Sequence, residues 1–383
     1  MIRVRPSSGA SPYFFLLFAP ARDTLPWLLM FALSGSLPAA GRTADAPEEI
    51  RVERILGPEA PGKYKHPAAI TELRGGDLYI VYHAGTGEYS DDTAVWGTRR
   101  PAGASAWEAP KPVADTPFHG DGNAVIWQAP DELVWLFYVV RYGPTWSSSR
   151  IHAKVSRDGA RTWSDAVILT FEAGTMVRGK PIVLSSGDYL LPIYHEVGDD
   201  PEQVSKDCTS AFLVHDVKDA GRWRETGRIR SRIGNIQPAP AELSPGRLVA
   251  YCRRGGDYNP TKDGWIVRSE SSDGGRTWSE GADSRFPNPN AAVDLLRLAN
   301  GHLVLVYNDS MSERTPLTVA VSSDSDKTYP HRRNIAEGPG DFGYPYAIQT
   351  ADGKIHVVYT SDERTVVRHA VFDEATILRA PKE

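Results

Sequence analysis

The sequence predicts an all-β fold, a six-bladed β-propeller of four-stranded antiparallel blades, on three observations. A turn motif recurs along the chain: Ser156-Arg-Asp-Gly-Ala-Arg-Thr-Trp163, Ser271-Ser-Asp-Gly-Gly-Arg-Thr-Trp278 and, weaker, Ser322-Ser-Asp-Ser-Asp-Lys-Thr-Tyr329. Two eroded copies, Gly103-Ala-Ser-Ala-Trp107 and Asp219-Ala-Gly-Arg-Trp223, complete a series whose aromatic residues stand at 107, 163, 223, 278 and 329. That period of about 55 residues holds four short strands and fits one propeller blade; the roughly 330 residues after Ile50 hold six of them. Third, six near-equivalent apolar strands each follow a turn, with no helical period between them.

In chain order those six strands are Asp77-Leu-Tyr-Ile-Val-Tyr82, Leu133-Val-Trp-Leu-Phe-Tyr-Val139, Tyr189-Leu-Leu-Pro-Ile-Tyr194, Arg247-Leu-Val-Ala-Tyr251, His302-Leu-Val-Leu-Val-Tyr307 and Lys354-Ile-His-Val-Val-Tyr359. Upstream of them lie further apolar segments, among them Pro67–Leu73, Lys180–Leu184, Ile236–Leu243, Ala292–Leu296 and Tyr344–Gln349. These are expected to be the innermost strands, which places polar residues just before them at the mouth of the central site. In the repeated turn, the Asp and Ser oxygens are suited to bonding turn amides, Gly tolerates positive φ, and the ring plugs the strand layer beneath.

Composition agrees with one large, turn-rich β domain: 383 residues, 41% hydrophobic, with 34 Gly, 29 Pro and 10 Trp. A formal charge of −5 gives no reason to expect nucleic acid or an acidic membrane surface, so an anionic ligand needs a local cationic pocket. Two cysteines, Cys208 and Cys252, permit at most one disulfide. No Cys/His cluster has zinc spacing and no Gly-rich loop suits a phosphate, so neither a metal nor another cofactor is expected. Residues 1–46 differ from the rest: Arg3 and Arg5 precede apolar runs at Phe14–Phe18 and Leu25–Leu37, then small residues. This pattern reads as a long signal peptide ahead of a single domain over 47–383, hence as export; the apolar run is too short for stable membrane insertion.

The repeated turns resemble the Asp boxes, or bacterial neuraminidase repeats, of the sialidase superfamily, from about residue 50 to 376. The resemblance implies a purely structural role for Asp158, Asp273, Trp163 and Trp278 at the blade periphery. It also implies a site in which arginines clamp a carboxylate, a Tyr paired with Glu is the nucleophile, and an Asp is the acid/base. Carried over residue by residue, Arg253 in Tyr251-Cys-Arg-Arg254 resembles the second arginine and Arg314 the third, with Arg178 as a further candidate. Tyr344 in Gly343-Tyr-Pro-Tyr346 falls at the nucleophile, and Asp92 lies in the acid/base loop that begins at Glu88.

Two positions depart from the family. Tyr64-Lys-His-Pro67 puts His66 or Lys65 where the first arginine belongs, and Gln237 replaces the Glu that serves the phenol; an amide is no base. The chain is similar to a subgroup marked by His66, the Glu88–Asp92 loop, Lys180-Pro181, Gln237-Pro238 and Asn288-Pro-Asn290, whose relatives include lyases and glycosidases acting on uronic-acid or rhamnose-containing glycans. Glu88, Lys180 and Asn290 therefore join the substrate-binding candidates, while His195 and Glu196, at the end of the Tyr189 strand, are of second rank. The expected activity is an exo-acting glycoside hydrolase on the non-reducing end of an acidic glycan. Alternatives are a polysaccharide lyase in which His66 or Tyr344 removes a uronate C5 proton, a non-catalytic glycan-binding propeller, and a scaffold for protein partners.

Trp127, Trp135, Tyr142 and Trp146 suggest aromatic platforms for sugars near the second blade, with half of them expected in the core.

Overall fold

The computed structural model describes residues 49–200, 203–218 and 222–379. The leader predicted over 1–46 and the eroded turn at 219–221 lie outside these residues. Six antiparallel sheets follow one another around an axis, each running from its innermost strand outward. Blade 1 comprises Tyr64–Glu72, Leu78–Gly85, Ala94–Arg100 and Lys111–Ala114, and blade 2 comprises Gly120–Gln128, Val134–Arg141, Ser149–Ser156 and Val167–Ile168. In blade 3, Thr175–Val177 and Ile182–Val183 share the innermost place, both pairing with Tyr189–His195, and Thr209–His215 and Trp223–Glu225 follow. Blade 4 is Asn235–Ser244, Arg247–Arg254, Trp265–Ser271 and Ala282–Pro287; blade 5 is Asp294–Arg297, Leu303–Asn308, Leu317–Ser322 and His331–Ala336.

Blade 6, with Gly343–Gln349, Ile355–Ser361 and Val366–Phe372, lacks a fourth strand of its own. Arg51–Leu56 supplies it, pairing antiparallel with Val366–Phe372. The ring is therefore closed by main-chain hydrogen bonds between the two ends of the propeller, which ties the first described strand to the last blade. A partly buried chain of side chains reinforces the seam: Arg100 bonds Glu53 at 2.8 Å, Glu53 bonds His369 Nδ1 at 2.9 Å, and His369 Nε2 meets His356 Nδ1 at 2.9 Å.

The predicted second strands are observed as such because alternating apolar residues must be buried on both faces between neighbouring blades. Between blades 4 and 5, Phe286 holds the rings of Tyr251, Tyr307 and Tyr329 edge-on at 5.8, 5.2 and 5.2 Å. Each repeated turn lies between the third and outermost strands and is satisfied within itself. Ser271 Oγ donates to Asp273 Oδ1 at 2.9 Å and accepts from Gly275 N at 2.9 Å; the Asp273 carboxylate then accepts from Thr277 N and Thr277 Oγ1 at 2.9 and 2.6 Å. The Asp158 and Asp324 turns repeat that pattern. Trp278 then stacks on Phe212 of the neighbouring blade, 4.4 Å between centroids. Cys208 and Cys252 are both free and buried.

The inner strands are less regular, and that irregularity builds the site. Register shifts fall between Lys65 and Ala68, Gly122 and Val125, Ile236 and Ala239, and Gly343 and Tyr346. Within three of these bulges Asn123, Gln237 and Tyr344 adopt φ of 45°, 55° and 56°, and Asn290, before the fifth inner strand, 58°. Non-glycine residues adopt positive φ at a cost of about 1–3 kcal/mol each, and such bulges re-aim a side chain out of the alternation of the strand. Here they turn successive side chains from several blades toward the same mouth.

Candidate active site

Tyr344 is the centre of this mouth. Its phenol is almost wholly buried, and the guanidinium carbons of Arg178, Arg253 and Arg314 lie 5.6, 5.8 and 5.6 Å from its ring centroid. Arg253, from the end of the second strand of blade 4, donates through Nη1 to Tyr344 Oη at 2.8 Å and to Gln237 Oε1 at 3.4 Å, through Nη2 to Tyr258 Oη at 3.0 Å, and through Nε to Asn290 Oδ1 at 2.6 Å. Among the described residues it has no carboxylate partner, so its charge is available to a ligand. Burial raises the Tyr344 pKa, but Arg253, Arg314 and Arg364 outweigh it and leave the phenol below its ordinary value.

Arg314 donates to the Asn290 carbonyl at 3.3 Å. Its Nη1 is buried and has no hydrogen-bond partner among the described residues; Asp341 Oδ2 stands 4.0 Å away. Arg364, which the sequence did not single out, donates through Nη1 to Glu88 Oε2 at 2.5 Å and to Tyr64 Oη at 3.2 Å. It ends a run of three positive-φ residues, Asp362, Glu363 and Arg364, a conformation that no sequence motif announces. Glu88 lines the mouth.

The remaining wall comes from blades 1 to 4. Gln237 Nε2 and Asn123 Nδ2 both donate to Tyr194 Oη, at 3.4 and 2.8 Å. Glu196, a second-rank candidate, lines the same pocket, and its Oε2 is cut off from solvent with no partner among the described residues. Burial raises its pKa to about 7 against the opposing pull of Arg253, with Glu88 adding to the rise. It is thus a carboxylic acid that exchanges a proton near neutrality. His66 edges onto the Tyr344 ring at 3.9 Å; burial first, then Arg364, hold its pKa well below the ordinary imidazole value.

Several predicted residues serve the site from outside the mouth. Asp92 is exposed and accepts from Thr86 N at 3.1 Å and Thr86 Oγ1 at 3.0 Å, so it caps its own loop and leaves the acidic positions to Glu88 and Glu196. Lys180 is buried against Asp294, with 2.6 Å to each carboxylate oxygen, in an ion pair of the inner strands. Arg178 lies beneath Tyr344 and donates to the carbonyls of Val293 and Pro345. Asn290 spends its amide on the Gly256 and Asp257 carbonyls, at 2.9 and 3.1 Å, and so positions Arg253. His195 is held between Glu225 and Glu172, and Arg228 bridges those same two carboxylates, which supplies the positive charge a metal ion would otherwise bring. Of the aromatics, Trp146 lines the pocket and Tyr142 is half exposed, while Trp127 packs on Tyr189 and Trp135 on Phe137.

Six blades, repeated Asp-box turns and an arginine-lined axial mouth define a propeller of the sialidase superfamily. Residues 76–357 match the model of the BNR repeat-like domain, and the chain belongs to that family. The fold is similar to the NanB sialidase from Streptococcus pneumoniae, at 10% identity and a TM-score of 0.69, covering 85% of this chain and 71% of that one. It is also similar to the intramolecular trans-sialidase from Ruminococcus gnavus (12%, 0.68, 85% and 98%) and to an α-L-arabinanase from Penicillium chrysogenum (15%, 0.63, 86% and 100%). No curated protein matches the chain.

Proposed function

We propose that this protein is an exo-acting glycoside hydrolase that cleaves the terminal residue from the non-reducing end of an acidic glycan. One observation carries this reading: a buried phenol surrounded by guanidiniums shares its pocket with a carboxyl whose pKa is raised to about 7. Arg253 and Arg314, assisted by Arg364, bind the carboxylate of the sugar, each charge-assisted hydrogen bond adding about 1.5–3 kcal/mol. In the first step Tyr344 reacts as the phenolate, its proton already lost to solvent under the pull of the arginines. Glu196 gives its proton to the glycosidic oxygen while Tyr344 Oη attacks the anomeric carbon, so the glycosidic bond breaks as a Tyr344–sugar bond forms. In the second, the Glu196 carboxylate takes a proton from the water that attacks the anomeric carbon, and the Tyr344 phenolate leaves.

Gln237 cannot accept the phenolic proton, and the arginines take over the task of lowering the Tyr344 pKa electrostatically. Of the two bases a lyase would use, His66, kept far below its usual range by burial and Arg364, is a weak one, which leaves Tyr344 as the base of that alternative. The leader pattern in residues 1–46 supports a site of action outside the cytoplasm. The test is to incubate the purified chain with sialosides, uronosides and rhamnosyl-glucuronate oligosaccharides, following released sugar and the ultraviolet absorbance of an unsaturated uronate together. Released sugar without absorbance, abolished by Tyr344→Phe and Glu196→Gln, is the expected result. Rising absorbance makes the protein a lyase; silence on both channels with retained binding makes it a glycan-binding propeller.

A further inference from the structure

We propose that His66 and His83 form a neutral acceptor–donor pair, fixed in opposite tautomers, that reads hydroxyl groups of the sugar bound beside Tyr344. The inference rests on the glycan reading above and extends it to the uncharged part of the substrate. His83, on the second strand of blade 1, carries no part of the proposed chemistry. It is 1% exposed, and its Nδ1 accepts the backbone N–H of Asn123 at 3.0 Å. A backbone amide can only donate, so Nδ1 carries the lone pair and the ring proton sits on Nε2. That Nε2–H is buried and has no partner among the described residues.

His66 is set the opposite way. Its Nδ1 lies 2.9 Å from Thr360 Oγ1, and that hydroxyl directs its single proton to the Gly343 carbonyl at 3.2 Å. Nδ1 must therefore be the donor to Thr360, which leaves the lone pair on Nε2; this atom too is buried and without a partner among the described residues. Both rings line the pocket that holds Tyr344, Gln237 and Glu196, and the Tyr64 ring is 5.8 Å from each.

An unmade hydrogen bond at a buried donor or acceptor costs about 1–3 kcal/mol, so two on one wall call for a ligand that satisfies both. A carboxylate satisfies only the donor and an ammonium only the acceptor. Hydroxyls do either, and a sugar ring presents them side by side. The arginines then recognise the charge of the substrate and the histidines its hydroxyls. Burial keeps both rings neutral, His83 with a pKa of about 4.

The test is nitrogen-15 NMR of the full chain labelled at histidine, at pH 7, with His66→Gln and His83→Gln used to assign the two rings. The expected spectra show His66 protonated at Nδ1 and His83 at Nε2. Glycerol and glucuronate are expected to shift the Nε2 signals of both, and acetate that of His83 alone. An imidazolium or the opposite tautomer at either ring overturns the proposal, as does glucuronate binding that leaves both signals in place. Shifts with glycerol but no binding of any acidic sugar overturn the functional reading and spare the pair. His83→Phe is expected to weaken glucuronate binding on the order of tenfold while His83→Gln, which keeps a donor, restores most of it; equal losses in both variants assign His83 a packing role instead.

Discussion

The repeated turns at the rim and the mouth at the axis are built from opposite kinds of contact. At the rim, Ser271, Asp273 and Thr277 satisfy one another within seven residues of chain, and the Asp158 and Asp324 turns repeat the solution almost atom for atom. At the mouth, Arg253 reaches partners 16, 37 and 91 residues away, positive-φ backbones hold the side chains in place, and buried atoms such as Glu196 Oε2 and Arg314 Nη1 stay unpartnered among the described residues. The rim has spent its hydrogen-bonding capacity on the fold; the mouth keeps some in reserve for a ligand. That contrast separates a stability motif from a reactive one, although both regions carry carboxylates, arginines and aromatic side chains.

The largest effects that probe this contrast are catalytic. Glu196→Gln is expected to lower kcat/KM about 10²–10⁴-fold, the usual contribution of a general acid, and Tyr344→Phe at least as much, with thermal midpoints near that of the parent chain. A midpoint that collapses along with the activity would show that the mouth is structural like the rim. Next comes Trp278→Ala, which opens a hole against Phe212 and is expected to cost about 3 kcal/mol in chemical denaturation while kcat/KM holds.

The pH dependence of stability sharpens the comparison because two groups of the mouth pull in opposite directions. The Glu196 pKa is raised from 4.5 to about 7 in the folded state, so its contribution to stability is full below about 4.5 and fades as pH rises through 7. That of His83 is lowered from 6.5 to about 4, so the unfolded chain takes up a proton first and stability falls as pH drops from 6.5 toward 4. Denaturation midpoints measured from pH 4 to 8 are expected to show a shallower first slope in Glu196→Gln and a shallower second slope in His83→Gln, the remainder of each coming from groups such as Asp121 and His66. The smallest effect belongs to the rim: Ser271→Ala removes the buried acceptor of Gly275 N and is expected to cost about 1 kcal/mol, read by urea titration, with no change in activity.

The division between rim and mouth also explains what was legible. The strand Tyr189–His195, the Asp273 turn and the count of six blades could be read because each is coded by neighbours in sequence: alternation for a strand, Gly and Asp at fixed offsets for a turn. Arg253, Arg314, Tyr344 and Gln237 were found through the family resemblance, and the structure does bring them together. Lys180 and Asp92 carry the right charges, yet Asp294 and Thr86 engage them, and nothing local to either residue foretells its partner. Arg364 and His83 were missed for the complementary reason, since a three-residue run at positive φ presents the first and a bulge in the neighbouring blade sets Asn123 N against the second.

By itself, then, the sequence determined the blade, its period, its closing turns and a short list of cationic and phenolic candidates, because those depend on interactions across a few residues. Only the tertiary structure decided that Arg51–Leu56 closes the ring, that Glu196 brings a solvent-shielded carboxyl oxygen into the mouth, and that His66 and His83 face it with opposite tautomers. These outcomes rest on which groups from distant blades share one desolvated volume. Burial and long-range charge act through space, and the order of residues along a chain does not carry that information until the chain has folded.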